Sequence, residues 1–272
     1  MTAVRRLARG RAEIAFEDSG GAGPPVVLCH GAGMDRSMFA EQAAALTGAG
    51  FRVIAWDLPA HGESMLPAGT RFTASVALED LTALLDACGI DRAVLVGHSL
   101  GGNLAQAFVR AHPQRAAGLI VMDSTWNAGP LAWWERLALR LAAPSLALVP
   151  AHRLPGLMAR ASAVTSDAIA RTEATFARMP KPVFLDVWRA TVSFVDPDPE
   201  YRTPVPLALV RGAQDRTGNI ATAMPAWARA EGVLEHVVPD AGHIVTWDAP
   251  EESARVLVGI LEAWGSAGRD GA

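Results

Sequence analysis

Short apolar runs recur along the chain, separated by stretches whose apolar residues follow a helical period. Val26–Cys29, Phe51–Trp56, Ala93–Val96, Ala117–Met122, Pro206–Val210 and Leu234–Val238 read as strands, apolar on both faces. Ala12–Glu17 alternates weakly and reads as an early antiparallel strand. Helical spacing predicts helices over Asp35–Leu46, Ser75–Cys88, Leu100–Ala111, Ile220–Ala230 and Glu251–Trp264. Strand and helix thus alternate, which predicts an α/β fold: a mostly parallel sheet with helices on both sides.

The alternation stops near Asn127 and resumes near Arg202. Helical segments are expected around Leu131–Leu141, Ser166–Arg178 and Phe184–Val195, broken up by Pro144, Pro150, Pro155, Pro180 and Pro182. The expected organisation is a core over residues 1–125 and 204–272, with a helical lid inserted at 126–203. Within Leu131–Leu141, Trp134, Leu137, Ala138 and Leu141 share one face, while Arg136 and Arg140 share another. A membrane-surface helix shows the same pattern. Packing of that apolar face over the core is the preferred reading.

Composition narrows the function. The chain has 272 residues, half of them hydrophobic, enough for one large domain with a substantial core. The formal net charge of −4 gives no support for nucleic-acid binding. The most apolar long stretch, Leu131–Val149, contains Glu135, Arg136, Arg140 and Pro144, which argues against a membrane span. The basic segment Met1–Arg11 lacks the apolar run of a secretory signal, so a cytoplasmic protein is expected. Cys29 and Cys88 have no metal-type spacing and are expected to be buried thiols. No pattern calls for a metal or a cofactor, and Gly97–Gly102 lacks the spacing of a dinucleotide fingerprint. Oligomeric state is not legible.

Chemistry concentrates in loops expected at the carboxyl ends of strands, where open α/β sheets bind ligands. Gly97-His98-Ser99-Leu100-Gly101 joins a strand to a helix in a G-x-S-x-G pattern. Such a turn lifts a serine hydroxyl clear of the backbone and aims the following N–H at an oxyanion. A serine nucleophile needs a base, and the base needs an orienter. His243 follows the Leu234–Val238 strand and Asp215 follows Pro206–Val210, so Ser99, Asp215 and His243 form a candidate triad. Asp123, leaving the strand after the Ser99 helix, is an alternative acid. The oxyanion donors are expected at the Leu100 N–H and the Ala32 N–H, with Gly33 as an alternative to Ala32. His30 and His61 are expected to stabilise loops, and the His98 ring to point away from the chemistry.

His30-Gly31-Ala32-Gly33, Asp57-Leu58-Pro59-Ala60-His61-Gly62-Glu63-Ser64, Gly97-His98-Ser99-Leu100-Gly101-Gly102, Gly212-Ala213-Gln214-Asp215-Arg216 and Asp240-Ala241-Gly242-His243 together resemble the lid-bearing serine branch of the α/β-hydrolase superfamily. The resemblance implies Ser99 as nucleophile, Asp215 as acid, His243 as base, and Ala32 and Leu100 as oxyanion donors. It also implies an eight-stranded sheet whose second strand is antiparallel. Related dehalogenases and epoxide hydrolases use an aspartate nucleophile, so Ser99 argues against those reactions. Esterases, carbon–carbon bond, lactone and amide hydrolases, and cofactor-free perhydrolases share the triad. A ligand-sensing protein that keeps the cleft is an alternative of another class. His30-Gly31-Ala32-Gly33-Met34-Asp35 lacks the Gly-Pro-Gly step of carbon–carbon hydrolases.

The expected substrate is a small to medium hydrophobic ester. Gly33, Met34, Trp126, Trp133, Trp134, Trp188 and Trp247 are candidate pocket residues, because aromatics over a cleft favour an apolar acyl or alkyl group.

Overall fold

The computed structural model describes residues 3–67 and 69–270. In chain order its elements are β1 (Arg5–Arg9), β2 (Ala12–Asp18), β3 (Pro25–Cys29), α1 (Ala40–Gly48), β4 (Arg52–Trp56), α2 (Ala74–Ala87), β5 (Ala93–His98), α3 (Leu100–Ala111) and β6 (Ala116–Met122). Four helices follow: α4 (Trp133–Leu148), α5 (Leu154–Ser162), α6 (Ser166–Phe176) and α7 (Lys181–Ser193). The chain then closes with β7 (Leu207–Gly212), α8 (Ile220–Glu231), β8 (Glu235–Val238), α9 (Val245–Asp248) and α10 (Pro250–Asp270).

The eight strands form one sheet in the order β1-β2-β4-β3-β5-β6-β7-β8. Only β2 runs antiparallel to its neighbours, β1 and β4; every other pair is parallel. Successive side chains point to opposite faces of a strand, and this divides the core into two layers. Val27, Cys29, Leu95, Val121 and Leu209 pack with residues of α2, α3 and α8. Val26, Leu28, Val94, Val96, Ile120 and Val210 pack on the other face with residues of α1 and α10. Strand β5 is buried at every position, and its last pairs set Gly97 beside Cys29 and Val121. The nucleophile candidate therefore follows a central, rigid strand.

Strand β1 is not legible in the sequence, because Arg5-Arg6-Leu7-Ala8-Arg9 has little apolar content. It is an edge strand whose arginines pair with acids of neighbouring elements: Arg5 with Asp18, Arg6 with Glu13 and Glu63, and Arg9 with Asp80. Charge of this kind also discourages pairing with other chains. The expected helix from Asp35 starts as a 3-10 turn, Arg36–Phe39, capped by the Asp35 carboxylate on the Ser37 N–H at 3.0 Å.

Between β6 and β7 the alternation does stop, and α4–α7 occupy the interval. Pro144 does not end a helix as expected. Helix α4 passes through it, because Pro144 lies on the exposed side, where the carbonyl it orphans belongs to the exposed Arg140. Helix α5 is hidden in the sequence because Pro155 and Gly156 look like breakers; Pro155 sits in the first turn, where its missing N–H costs nothing.

The packing face of α4 is also the reverse of the expectation. Leu139, Ala142, Ala143 and Leu146 are its buried or half-buried apolar residues, whereas Trp134, Leu137, Ala138 and Leu141 face outward. A helix apolar on most of its circumference does not specify from sequence which side faces the core.

Candidate active site

The turn from β5 into α3 places Ser99 at φ 52°, a conformation that L side chains rarely adopt. Neighbours hold it there. The Ser99 N–H donates to the Met122 carbonyl at 3.0 Å, and the Ser124 hydroxyl donates to the Ser99 carbonyl at 2.8 Å. A Cβ at Gly101 would overlap the backbone of Cys29, so only glycine lets α3 start this close to β3.

Three loops bring the expected triad together. The Ser99 hydroxyl lies 3.0 Å from His243 Nε2, and His243 Nδ1 lies 3.0 Å from Asp215 Oδ2. All three follow strand ends on one edge of the sheet. Asp215 accepts a further hydrogen bond from the Thr217 N–H at 2.7 Å. Burial pushes the Asp215 carboxyl up, but the facing His243 and the hydrogen bonds from His243 and Thr217 outweigh it and hold the group below its ordinary value. A serine hydroxyl donating to a neutral imidazole, itself donating to an ionised carboxylate, is an arrangement able to generate an alkoxide.

The carrier loops are tied to one another. The Gln214 N–H donates to the Ala241 carbonyl at 2.8 Å, joining the Asp215 and His243 loops. His98 Nε2 lies 2.6 Å from the His243 carbonyl. Burial first, and repulsion from His243 second, drive the His98 ring down to about 3, so it stays neutral with its proton on Nε2. The His98 ring does not point away from the chemistry as expected: its centroid lies 4.9 Å from that of the His243 ring, a positioning contact not legible beforehand. No sequence pattern links residues 145 apart; the turn that displays Ser99 is its one signal. His30 and His61 hold loops as expected. His30 Nδ1 donates to the Gly31 carbonyl and Nε2 accepts from the Leu58 N–H, while His61 Nδ1 donates to the Pro59 carbonyl.

Asp123 is not the carboxylate that meets His243. Its Oδ1 accepts from the Gly212 N–H at 2.8 Å, and its Oδ2 is buried with no partner. Burial, then the nearby Asp215 charge, raise its carboxyl well above the ordinary value. Donor atoms of Asp123, Asp215 and His243 lie within 4.8 Å of one another, a spacing a metal could use. The hydrogen bond between Asp215 and His243, and burial that favours the protonated form of Asp123, fit a metal poorly.

Leu100 opens α3, whose first N–H groups lack intrahelical acceptors. Opposite, Ala32 and Gly33 follow β3. Gly33 has φ 73°, and a Cβ there would overlap the Phe176 ring. Phe176 meets Phe184 edge-on, and Phe184 leans on Trp188, so aromatic residues of α6 and α7 lie over the loop. A groove of about 780 Å³ begins at Gly33 and Met34 and runs between α1 and β4; Ser99 and His243 do not line it. The other candidate pocket residues lie elsewhere. Trp126 stacks on Trp227, Trp247 is buried under the Arg171 guanidinium, and Trp133 and Trp134 are exposed on α4.

Asp248 ties the α5–α6 connection to the His243 loop. Its carboxylate accepts from the N–H groups of Gly242, Val164 and Thr165, at 2.8–3.1 Å, and from the Thr165 hydroxyl. The Asp35–Arg178 ion pair, at 2.8 Å, fastens the end of α6 to the loop after β3.

A family model described as the alpha/beta hydrolase fold matches residues 24–250. The chain is 27% identical over 254 residues to a 2-hydroxy-6-oxo-6-phenylhexa-2,4-dienoate hydrolase of Burkholderia cepacia, covering 89% of this chain and 88% of that one. It is 36% identical over 110 residues to a 2-hydroxy-6-oxononadienedioate/2-hydroxy-6-oxononatrienedioate hydrolase of Paraburkholderia phymatum; that match spans 39% of this chain but only 38% of the relative's length. Among solved structures, a thermophilic esterase from Thermogutta terrifontis superposes with a TM-score of 0.78 at 28% identity, over 97% of this chain and 99% of that one.

Proposed function

The chain belongs to the alpha/beta hydrolase fold family, and from that premise we propose that it is a serine hydrolase acting on a small to medium hydrophobic carboxylic ester. The observation that carries the reading is the hydrogen-bonded series Ser99–His243–Asp215, with both links at 3.0 Å.

In this reading Ser99 Oγ attacks the ester carbonyl carbon as its proton passes to His243 Nε2. The N–H groups of Leu100 and Ala32 receive the oxyanion. The C–O bond to the alcohol breaks, and Nε2 returns its proton to the departing alkoxide. Water then attacks the acyl-enzyme, giving a proton to Nε2, and the acid leaves as Ser99 is reprotonated. Asp215 keeps the imidazole in the tautomer with its proton on Nδ1. Residues 126–203 serve as the lid, and Phe176, Phe184 and Trp188 favour an apolar acyl or alkyl group. The free, buried thiols of Cys29 and Cys88 suit a reducing compartment, and we assign the protein to the cytoplasm.

Similarity along most of the chain to the Burkholderia cepacia hydrolase favours a second reading, carbon–carbon bond hydrolysis by the same residues. Labelling with a serine-directed phosphonate, followed by peptide mapping, tests the shared step. An adduct on Ser99, absent in Ser99→Ala, is expected; a folded enzyme that fails to label overturns both readings. Multiple turnover on an acyl-chain series of esters, against a vinylogous 1,5-diketone, separates the two. A single stoichiometric turnover on every substrate would instead indicate a ligand sensor.

A further inference from the structure

Helix α4 turns an apolar face to solvent. Trp133, Trp134, Leu137, Leu141 and Leu148 are 77%, 57%, 48%, 51% and 86% exposed. At about 100° of rotation per residue they fall within one arc of roughly 100°, a stripe of the kind that globular helices normally bury. Arg136 and Arg140 border this arc, both exposed. Among the described residues neither pairs with a carboxylate. The single acid of α4, Glu135, is committed elsewhere, to the Ala132 N–H and the Asn219 amide, both at 2.8 Å. The face is therefore apolar and cationic, in a chain whose formal net charge is −4.

We propose that α4 is an interfacial helix that docks the protein on an anionic lipid surface. The stripe enters the boundary between headgroups and acyl chains. The two tryptophans at its start sit at headgroup level, and Arg136 and Arg140 meet lipid phosphates. Its length and charges suit a helix lying in the plane of the surface, and no described helix is long and apolar enough to cross a membrane. A second copy of the chain is a poorer occupant. A two-fold contact through this face would bring the arginines toward their own copies, with no acid on the outward face of α4 to answer them. The proposal does not rest on the hydrolase reading.

Flotation with vesicles of phosphatidylcholine, with and without phosphatidylglycerol, tests it on the full chain. Binding is expected to the anionic vesicles at low salt and to weaken at high salt. Replacing Leu137, Leu141 and Leu148 together by serine, or Arg136 and Arg140 together by glutamate, should lower binding at least about ten-fold. The melting temperature of each variant monitors folding without reference to any activity. Absence of binding at low salt, or equal binding by folded variants, overturns the proposal. So does a dimer in sedimentation velocity that the leucine variant abolishes while vesicle binding persists unchanged.

Discussion

The ring of His98 is hydrogen-bonded to the backbone carbonyl of His243, with Nε2 2.6 Å from the oxygen. The residue immediately before the candidate nucleophile thus holds the candidate base. The link is direct because the turn that exposes Ser99 also carries its neighbour against the His243 ring and backbone.

His98→Ala should leave the fold intact and lower kcat while changing KM little. It orphans a buried carbonyl, at a cost of about 1–3 kcal/mol, and lets the imidazole drift from Ser99. A fall in kcat of roughly ten-fold or more is expected, since small displacements of a catalytic group are costly. Steady-state kinetics on a soluble ester measure it. Unchanged kcat would show that the His243 loop is held well enough by its other contacts.

The triad is legible because strand endings are legible. Apolar runs over Ala93–Val96, Pro206–Val210 and Leu234–Val238 place Ser99, Asp215 and His243 at one edge before any contact is known. The ties between their loops are not legible, since hydrogen bonds such as His98 to His243 depend on a register fixed only by the folded sheet. The outward face of α4 misleads for a different reason. Tryptophan and leucine are normally inside, and Trp134 and Leu137 outweigh the smaller Ala142 and Ala143 that actually face in. Trp126 and Trp247 show the same limit: each packs into the core, but sequence does not say which part.

Asp248 should govern how firmly the α5–α6 connection is held. Its carboxylate accepts from Gly242 on one side and from Val164 and Thr165 on the other. Asp248→Ala removes all of these acceptors and is expected to cost about 3 kcal/mol or more, as charged hydrogen bonds do. Hydrogen exchange should quicken at Val164 and Thr165 and at Gly242 before it quickens in β5. Uniform acceleration along the chain would instead indicate global destabilisation.

Gly33→Ala should cripple turnover through two separable effects. One is backbone strain at φ 73°, and the other is overlap with the Phe176 ring. Strain at a site of this kind costs on the order of 1–3 kcal/mol. Adding Phe176→Ala should relieve only the overlap. Activity of the double variant is therefore expected above that of Gly33→Ala and below that of Phe176→Ala. Full recovery in the double variant would mean that the backbone bears no strain.

Buried titratable groups set an acid limit on stability. Burial, followed by repulsion from a neighbouring histidine, lowers both His98 and His61 from 6.5 to about 3. Below pH 6.5 the unfolded chain takes up protons that the folded chain refuses, so stability falls as pH drops toward 3. Each group contributes about 1.4 kcal/mol per pH unit within that window. Asp123 acts in the opposite sense. Its folded carboxyl keeps a proton well above 3.8, while the unfolded chain releases it near that value. Its contribution is present at low pH and is lost as pH rises. In Asp123→Asn the new amide is neutral throughout, and its oxygen can still accept from the Gly212 N–H. The variant should therefore be more stable than the parent at pH 7, and this advantage should shrink as pH falls and the parent's folded carboxyl takes up its proton. Urea midpoints at several pH values measure both effects. Parallel curves for the two proteins would mean that Asp123 is ionised in the folded state, beside Asp215.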